Sequence, residues 1–263
     1  MKKALIFDCD GVLGETERHG HLPAFNQMWA ELGVPWQWSP EDYARKRQIA
    51  GGKERMASLF HDADFLRVFT PPRSQEERNA LISRWHERKT SIYKRRIRLG
   101  QIPARPGVKR LATEALARGW ALAVASTSAH ESVEAVLWFT LGPEVAAQFS
   151  LVLAGDVVRS KKPAPDIYLL AAERLGIAPA DSVAIEDSQQ GVAAAVGAGM
   201  KCIVTVTDDT RGEDFSRADL VLTTLGEPGA ERCEILANDS SVRPGVLFSV
   251  DDLESLLGQT VAG

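Results

Sequence analysis

The sequence predicts an α/β protein whose core is a doubly wound, parallel sheet with helices on both faces, interrupted by an inserted all-helical cap. Short apolar runs that lack polar alternation, as strands buried on both faces do, alternate with helical patterns. The helical patterns of the core each stop at a glycine suited to the residue after a helix. One long region near the N-terminus contains no convincing strand, and this region defines the cap.

The first strand is predicted in the apolar run that starts at Ala4 and ends at two acidic residues, Asp8 and Asp10, followed by Gly11. In an extended segment, residues two apart share a face, so both carboxylates point the same way. Two carboxylates held together favour a cation, and Mg²⁺ prefers such oxygen ligands. Cys9 points to the opposite face, which favours a packed core thiol over a nucleophile.

The cap is predicted to span residues 16–102, between core segments 1–15 and 103–263. Three signals predict helices in the cap. The first is the apolar stripe Phe25, Met28, Trp29 and Leu32, and the second is a helix start at Ser39-Pro40. The third is a capping box at Ser74, followed by one helical face of Leu81, Trp85, Arg88 and Ile92. Crossing linkers near residues 15–18 and 100–106 would serve as hinges.

The core resumes with further strands and helices. The predicted strands are 120–125, 151–154, 182–185, 202–206 and 220–222, and the helical stripes end before Gly119, Gly176 and Gly199. The tail after residue 225 is rich in glycine, proline and polar residues, with a short closing helix indicated by Leu253, Leu256 and Leu257.

Composition excludes several classes of partner. A formal net charge of -4 over 263 residues gives no overall basic surface, which argues against nucleic acid or an anionic membrane as the main partner. No apolar run approaches the length of a membrane span. Three scattered cysteines do not suit a disulfide scaffold and favour a reducing compartment. We therefore expect a cytoplasmic, monomeric protein that binds a small molecule.

Polar groups follow the central strands of the predicted sheet, where ligands of parallel α/β sheets bind. Ser126, Thr127 and Ser128 follow the second strand, and their hydroxyls and backbone amides can hold a phosphate. Lys162 follows the third strand and can neutralise a transferring phosphoryl group, with the adjacent Lys161 as the alternative. Taken singly, a serine here suits a helix cap and a lysine suits a solvated surface.

A second acidic pair, Glu186 and Asp187, follows the fourth strand. It could complete an octahedral Mg²⁺ site with Asp8 and the backbone carbonyl of Asp10. Four such signals at four successive strand ends favour a catalytic site over coincidence.

These motifs resemble those of the haloacid dehalogenase superfamily. The resemblance covers about residues 3 to 225 and rests on Asp8-x-Asp10-Gly-Val, Ser126-Thr127, Lys162-Pro and Glu186-Asp187-Ser188. It implies a Rossmann-like core and Mg²⁺-dependent phosphoryl transfer through an aspartyl-phosphate. The implied nucleophile is Asp8, and the implied general acid and base is Asp10.

The cap carries charge clusters that could bind a second phosphate. The candidate substrate-binding residues there are Glu17, His21, Gly51, Gly52, Lys53, Glu54, Arg55, His86 and Lys89, joined from the core by Thr127 and Ser128. Together with the first motif, these elements are similar to CbbY-type phosphatases. That resemblance implies xylulose 1,5-bisphosphate as the substrate, with Glu17 and His21 contacting the sugar, and a role in clearing inhibitory by-products of ribulose bisphosphate metabolism in the Calvin cycle.

Other functions remain open at this stage. A β-phosphoglucomutase-like enzyme would share the core and cap but return the phosphoryl group to the sugar, and a phosphatase for another small sugar phosphate is a further alternative. A dehalogenase needs no Mg²⁺, so the acidic residues argue against it. A silent binding module would be expected to lack one of the catalytic groups, whereas the chain has all of them.

Overall fold

The computed structural model describes residues 2–49 and 51–258. The chain divides into two compact units, a core of Met1–Glu15 with Pro103–Gly263 and a cap of Thr16–Ile102. Within the described ranges, no helix is both long enough and apolar enough to cross a membrane.

The core unit is built on one seven-stranded sheet. Its strands are β1 (Ala4–Phe7), β2 (Ala121–Ser126), β3 (Leu151–Ala154), β4 (Ser182–Glu186), β5 (Lys201–Thr205), β6 (Leu220–Leu222) and β7 (Ile235–Asn238). They lie in the order β3-β2-β1-β4-β5-β6-β7. All neighbouring pairs are parallel except β6 with β7. The predicted parallel α/β fold is confirmed, with an added antiparallel edge strand.

The described helices divide between the cap and the part of the core that follows it in the sequence. In the cap they are α1 (Leu22–Glu31), α2 (Pro40–Arg47), α3 (Gly52–Ala57), α4 (Ala63–Val68) and α5 (Gln75–Arg98). In the core they are α6 (Val108–Ala117), α7 (His130–Leu141), α8 (Pro143–Ala146), α9 (Asp166–Leu175), α10 (Gln189–Gly197) and α11 (Val250–Leu257). Glu17–His21 forms a π-helical turn, and Ser58–His61 and Pro179–Asp181 form 3₁₀ turns.

The register of the sheet explains how distant motifs meet. Phe7, the last residue of β1, lies opposite Val124 of β2 and Ile185 of β4. Residues that follow these central strands therefore emerge at the same edge. The strand interiors are apolar and buried on both faces, as the absence of polar alternation predicted.

The sequence analysis missed several described elements of the core, among them the strand β7 and the helix α7. The tail contains β7, which the sequence analysis missed because its four residues are exposed or half-buried and carry no run of buried apolar side chains. Helix α7 was also missed, since Trp138 and Phe139 are 50% and 45% exposed beside buried neighbours and blur its apolar stripe. The closing helix was confirmed as α11, which buries Leu253 and Leu256.

The cap unit is predominantly helical and has no strand among its described residues, as predicted. Ser39 and Ser74 each form a capping box at the start of α2 and α5. The predicted face of α5 was wrong at Arg88, which is exposed and forms an ion pair with Glu31 at 2.5 Å. The buried positions of α5 are Ile82, Trp85, Lys89, Ile92, Tyr93 and Ile97, which follow the three- and four-residue spacing of one helical face.

Candidate active site

A buried lysine and an acidic residue form the centre of the core site. Asp8 follows β1 and is 9% exposed. Lys162 Nζ donates to Asp8 Oδ1 at 2.8 Å and to Glu186 Oε1 at 2.5 Å. It also donates to the carbonyl oxygen of Ala125, the residue before the end of β2, at 2.9 Å. Three elements distant in sequence thus hold one ammonium group.

The adjacent lysine has a different environment. The Lys161 side chain is 53% exposed and pairs at 2.6 Å with Asp156, whose side chain is 87% exposed. The side chain of Lys162 is 8% exposed. The structure therefore brings Lys162, and not Lys161, to the acidic residues.

The electrostatics of this site are dominated by burial. The pKa of Asp8 is raised to about 7, chiefly by burial; the charge of Lys162 opposes this rise, and the charges of Glu186 and Asp10 add to it. Burial alone would lower the pKa of Lys162, but the carboxylates of Asp8 and Glu186 outweigh it, so that pKa is raised. The ammonium group is consequently charged, and the surrounding acidic oxygens exceed it in number.

Asp10 is contacted by a serine from the second motif. Ser128 Oγ donates a short hydrogen bond to Asp10 Oδ2, and Ser128 N donates to Ser126 Oγ at 3.2 Å. Thr127, between them, is exposed. The two serines therefore order the loop after β2 beside the predicted acid and base. Contacts of Ser126, Thr127 and Ser128 with a phosphate stay predictions.

Three carboxylates of the core could hold a metal ion. One ligand oxygen each from Asp8, Glu186 and Asp187 lies within 4.8 Å of the others. Gly11 allows this approach, because a Cβ at this residue, whose φ is +78°, would lie 2.3 Å from Asp187 Oδ2. Hard oxygen donors with surplus negative charge suit Mg²⁺. A contribution from the backbone carbonyl of Asp10 stays a prediction.

The position of the Glu186 carboxylate is restricted by residues of two helices, α9 and α10. Tyr168, in the first turn of α9, donates its hydroxyl proton to Glu186 Oε1 at 2.5 Å. On the other side, a Cβ at Gly191 of α10 would lie 1.8 Å from Glu186 Oε2. The sequence analysis missed both residues, because a tyrosine beside apolar helical positions and a glycine early in a helix carry no local functional signal.

In the cap unit, Glu17 takes part in a charged cluster with two residues that the sequence analysis did not select. Tyr43 Oη donates to Glu17 Oε2 at 2.6 Å, and Arg47 Nε lies 3.8 Å from Glu17 Oε1. Arg55 donates to Tyr43 Oη at 3.0 Å and to the carbonyl of Ile49 at 2.9 Å. Glu17 and Arg55, 38 residues apart by their numbers, are thus joined through one phenol.

His21 and Lys89 form a second cluster of the cap unit. Lys89 Nζ lies 2.6 Å from His21 Nδ1, and the imidazole stacks on Tyr93 with ring centroids 4.0 Å apart. The same ammonium group lies over the ring of Phe25 at 4.7 Å. Lys89 is only 7% exposed, so the sequence-predicted pair is packed and not a solvated helix face.

The remaining predicted residues of the cap lie around the start of α3. Gly51, with φ of +93°, precedes the helix, and a Cβ at Gly52 would lie 3.4 Å from His86 Cδ2. Burial lowers the pKa of His86, and the nearby charges of Lys89 and Lys53 lower it further. Lys53 and Glu54 are exposed. Whether these residues bind substrate stays a prediction.

Comparisons with known proteins show the family of the chain. The sequence profile of the haloacid dehalogenase-like hydrolases matches residues 2–199. The chain is 42% identical to a CBBY-like protein of Arabidopsis thaliana, over 92% of this chain and 75% of that protein. It is also 42% identical to protein CbbY of Rhodobacter capsulatus, over 82% of this chain and 91% of that protein.

A solved structure extends the similarity to three dimensions. A mutant of CbbY from Rhodobacter sphaeroides in complex with xylulose-(1,5)bisphosphate is 39% identical to this chain, with a TM-score of 0.71. The match covers 87% of this chain and 98% of that one. The similarity thus spans both the core and the cap. The chain therefore belongs to the haloacid dehalogenase-like hydrolases, as a phosphatase similar to the CbbY proteins.

Proposed function

We propose that this phosphatase hydrolyses xylulose 1,5-bisphosphate in a Mg²⁺-dependent reaction that passes through an aspartyl-phosphate. The observation that carries the chemistry is the buried Lys162, held at 2.8 Å from Asp8 and 2.5 Å from Glu186. Such a fixed cation beside a carboxylate suits a nucleophile that must approach an anionic phosphoryl group.

Asp8 attacks phosphorus in the first step. A bond forms between its carboxylate oxygen and phosphorus, the bond from phosphorus to the sugar oxygen breaks, and Asp10 donates a proton to that leaving oxygen. In the second step Asp10 takes a proton from water, whose oxygen attacks the aspartyl-phosphate and frees Asp8 with release of phosphate. Ser128 holds Asp10 through its hydrogen bond during both transfers.

The metal would be held by Asp8, Glu186 and Asp187, whose oxygens fit it by number, spacing and charge. When bound, Mg²⁺ supplies positive charge that offsets the acidic oxygens and the phosphoryl group. Lys162 adds a charge that burial and three neighbouring acceptors keep in place. These groups lower the repulsion between the substrate and Asp8.

The choice of substrate is supported by the cap and by the relatives. Lys53, Arg55 and Lys89 offer cations for a second phosphate, and Glu17 and His21 offer polar contacts for sugar hydroxyls. The complex of Rhodobacter sphaeroides CbbY holds the same bisphosphate. A role in the Calvin cycle, a cytoplasmic location, a monomeric state and the absence of nucleic-acid or membrane partners stay predictions.

The decisive experiment measures phosphate release with and without Mg²⁺ from xylulose 1,5-bisphosphate, ribulose 1,5-bisphosphate, fructose 1,6-bisphosphate, glucose 1-phosphate and phosphoglycolate. We expect a preference for the xylulose compound that is lost in Asp8→Asn. The exposed Asp156→Asn variant is the matched control and should keep full activity.

Each alternative gives a different result in this panel. Release from other substrates without the xylulose compound would contradict the substrate assignment. Conversion of a hexose 1-phosphate into its isomer, after addition of a hexose bisphosphate, would favour the mutase. No release and no conversion from any substrate would contradict the catalytic proposal.

A further inference from the structure

We propose that Tyr168 is a positioning residue for phosphoryl transfer: its hydroxyl holds Glu186 so that Lys162 remains shared with Asp8 and the acidic residues keep their orientation toward Mg²⁺. This inference rests on the proposed metal-dependent reaction. Tyr168 lies outside the four motifs that identified the site, and nothing in its sequence pattern distinguishes it from a core residue.

The hydroxyl group of Tyr168 contacts two catalytic residues, Glu186 and Lys162. The side chain is fully buried, and Oη lies 2.5 Å from Glu186 Oε1 and 3.3 Å from Lys162 Nζ. The ammonium group of Lys162 also lies 4.9 Å from the centre of the tyrosine ring. One side chain therefore contacts both members of the buried ion pair.

The direction of the hydrogen bond follows from the chemistry of the partners. An ionised carboxylate only accepts, so the single phenol proton goes to Glu186 Oε1. That oxygen thus receives two donors, Tyr168 and Lys162. A charge-assisted bond of this kind is stronger than a neutral one, and it fixes the carboxylate plane.

The hydroxyl of Tyr168 also affects how Lys162 shares its hydrogen bonds between Asp8 and Glu186. Lys162 has three N–H groups and donates to Asp8, Glu186 and the Ala125 carbonyl. Without the phenol, Glu186 Oε1 would depend on Lys162, and the ammonium group would be drawn toward Glu186 and away from Asp8. The position of the nucleophile would then be less well defined.

A role in packing alone makes the opposite prediction. Phenylalanine fills nearly the same volume and would keep the ring under Lys162, so packing would survive Tyr168→Phe. If the hydroxyl positions Glu186, the variant should weaken Mg²⁺ binding and slow the reaction while remaining folded. Partners of metal ligands typically contribute about 10- to 100-fold to metal affinity or activity.

The test uses the full-length protein and two readouts. Calorimetric titration with Mg²⁺ alone, without substrate, gives the metal Kd. Steady-state kinetics with p-nitrophenyl phosphate and any sugar bisphosphate that the unmodified enzyme hydrolyses give kcat and KM. For Tyr168→Phe we expect the Mg²⁺ Kd to rise and kcat to fall by about 10-fold or more, with KM changed by about twofold or less.

Three further variants separate positioning from stability. Ile167→Val, which trims a buried neighbour in the same turn of α9, should lower the unfolding midpoint and leave Kd and kcat unchanged. In a Glu186→Ala background, which removes the accepting oxygen, the added loss from Tyr168→Phe should shrink to about twofold or less, because the interaction is then already absent. p-Aminophenylalanine at position 168 keeps a donor and should recover most of the metal affinity.

The outcomes are distinguishable. A Tyr168→Phe protein with unchanged Kd and kcat would overturn the inference. If that variant fails to fold, a p-aminophenylalanine protein that folds without recovering Mg²⁺ affinity would overturn it. Activity on p-nitrophenyl phosphate but on no sugar bisphosphate would remove the substrate assignment and leave this inference standing. An unmodified protein that binds no Mg²⁺ would contradict the proposed metal-dependent function and this inference together.

Discussion

Replacing Gly191 by alanine is expected to destabilise the protein, although alanine normally stabilises a helix relative to glycine. The added Cβ would lie 1.8 Å from Glu186 Oε2 and 2.0 Å from its Cδ, closer than any real contact. Glu186 is fully buried and held on its other side by Lys162 and Tyr168. The carboxylate must therefore give up part of its hydrogen bonding.

The size of the effect follows from opposing contributions. Alanine gains about 1 kcal/mol of helix propensity over glycine. The two hydrogen bonds to Glu186 Oε1 involve charge, and each contributes about 1.5–3 kcal/mol. We therefore expect Gly191→Ala to lower the free energy of unfolding by about 2–5 kcal/mol and to reduce kcat by about 10- to 100-fold.

The same helix supplies a matched control. A Cβ at Gly197, the last residue of α10, would lie 3.6 Å from Pro165 Cβ, which is an ordinary contact. Gly197→Ala should therefore leave activity unchanged and stabilise the protein by up to about 1 kcal/mol. Urea unfolding followed by circular dichroism, with phosphate release measured in parallel, compares the two. A Gly191→Ala protein as stable and active as Gly197→Ala would refute the reasoning.

Further predictions address the charged and thiol groups of the core. Lys162→Met should lower kcat by about 10²- to 10³-fold because it removes the buried cation. Lys161→Met changes a lysine of an exposed ion pair and should change kcat little. Equal losses of kcat in a phosphate-release assay would contradict the assignment of Lys162. Without metal, the raised pKa of Asp8 means that the folded state binds the proton of this carboxyl more tightly than the unfolded state does. This contribution to stability is fully present below the pKa of the unfolded state, 3.8, and is lost as pH rises through about 7. Thermal unfolding across this range should show that fall, saturating Mg²⁺ should reduce it, and a fall unaffected by Mg²⁺ would argue against Asp8 as its source. Burial raises the pKa of the Cys9 and Cys202 thiols, so iodoacetamide should label them only after unfolding, as peptide mass spectrometry can show; rapid labelling of Cys9 in the native state would reopen its role as a nucleophile.

Much of the fold was accessible from the sequence because burial periodicity and capping are local properties. The strands predicted at 151–154 and 220–222 have those bounds in the structure, and Ser74 caps the start of α5 as predicted. The glycine signals were equally local, since Gly176 ends α9 in the left-handed conformation. Failures occurred where neighbours change the pattern, as at Arg88, whose ion pair with Glu31 depends on a second helix.

By itself, the sequence determined the fold class and the chemical character of the site. Parallel strands place the residues that follow them at one edge, so acidic, hydroxyl and lysine groups after successive strands were bound to come together. Tertiary structure alone decided that Lys162 contacts Asp8, across 154 residues, and that Tyr168 and Gly191 fix Glu186. It also decided that Tyr43 links Glu17 to Arg55. The physical reason is that a strand or helix pattern encodes which side is buried, whereas a hydrogen-bond partner depends on which distant element packs against that side.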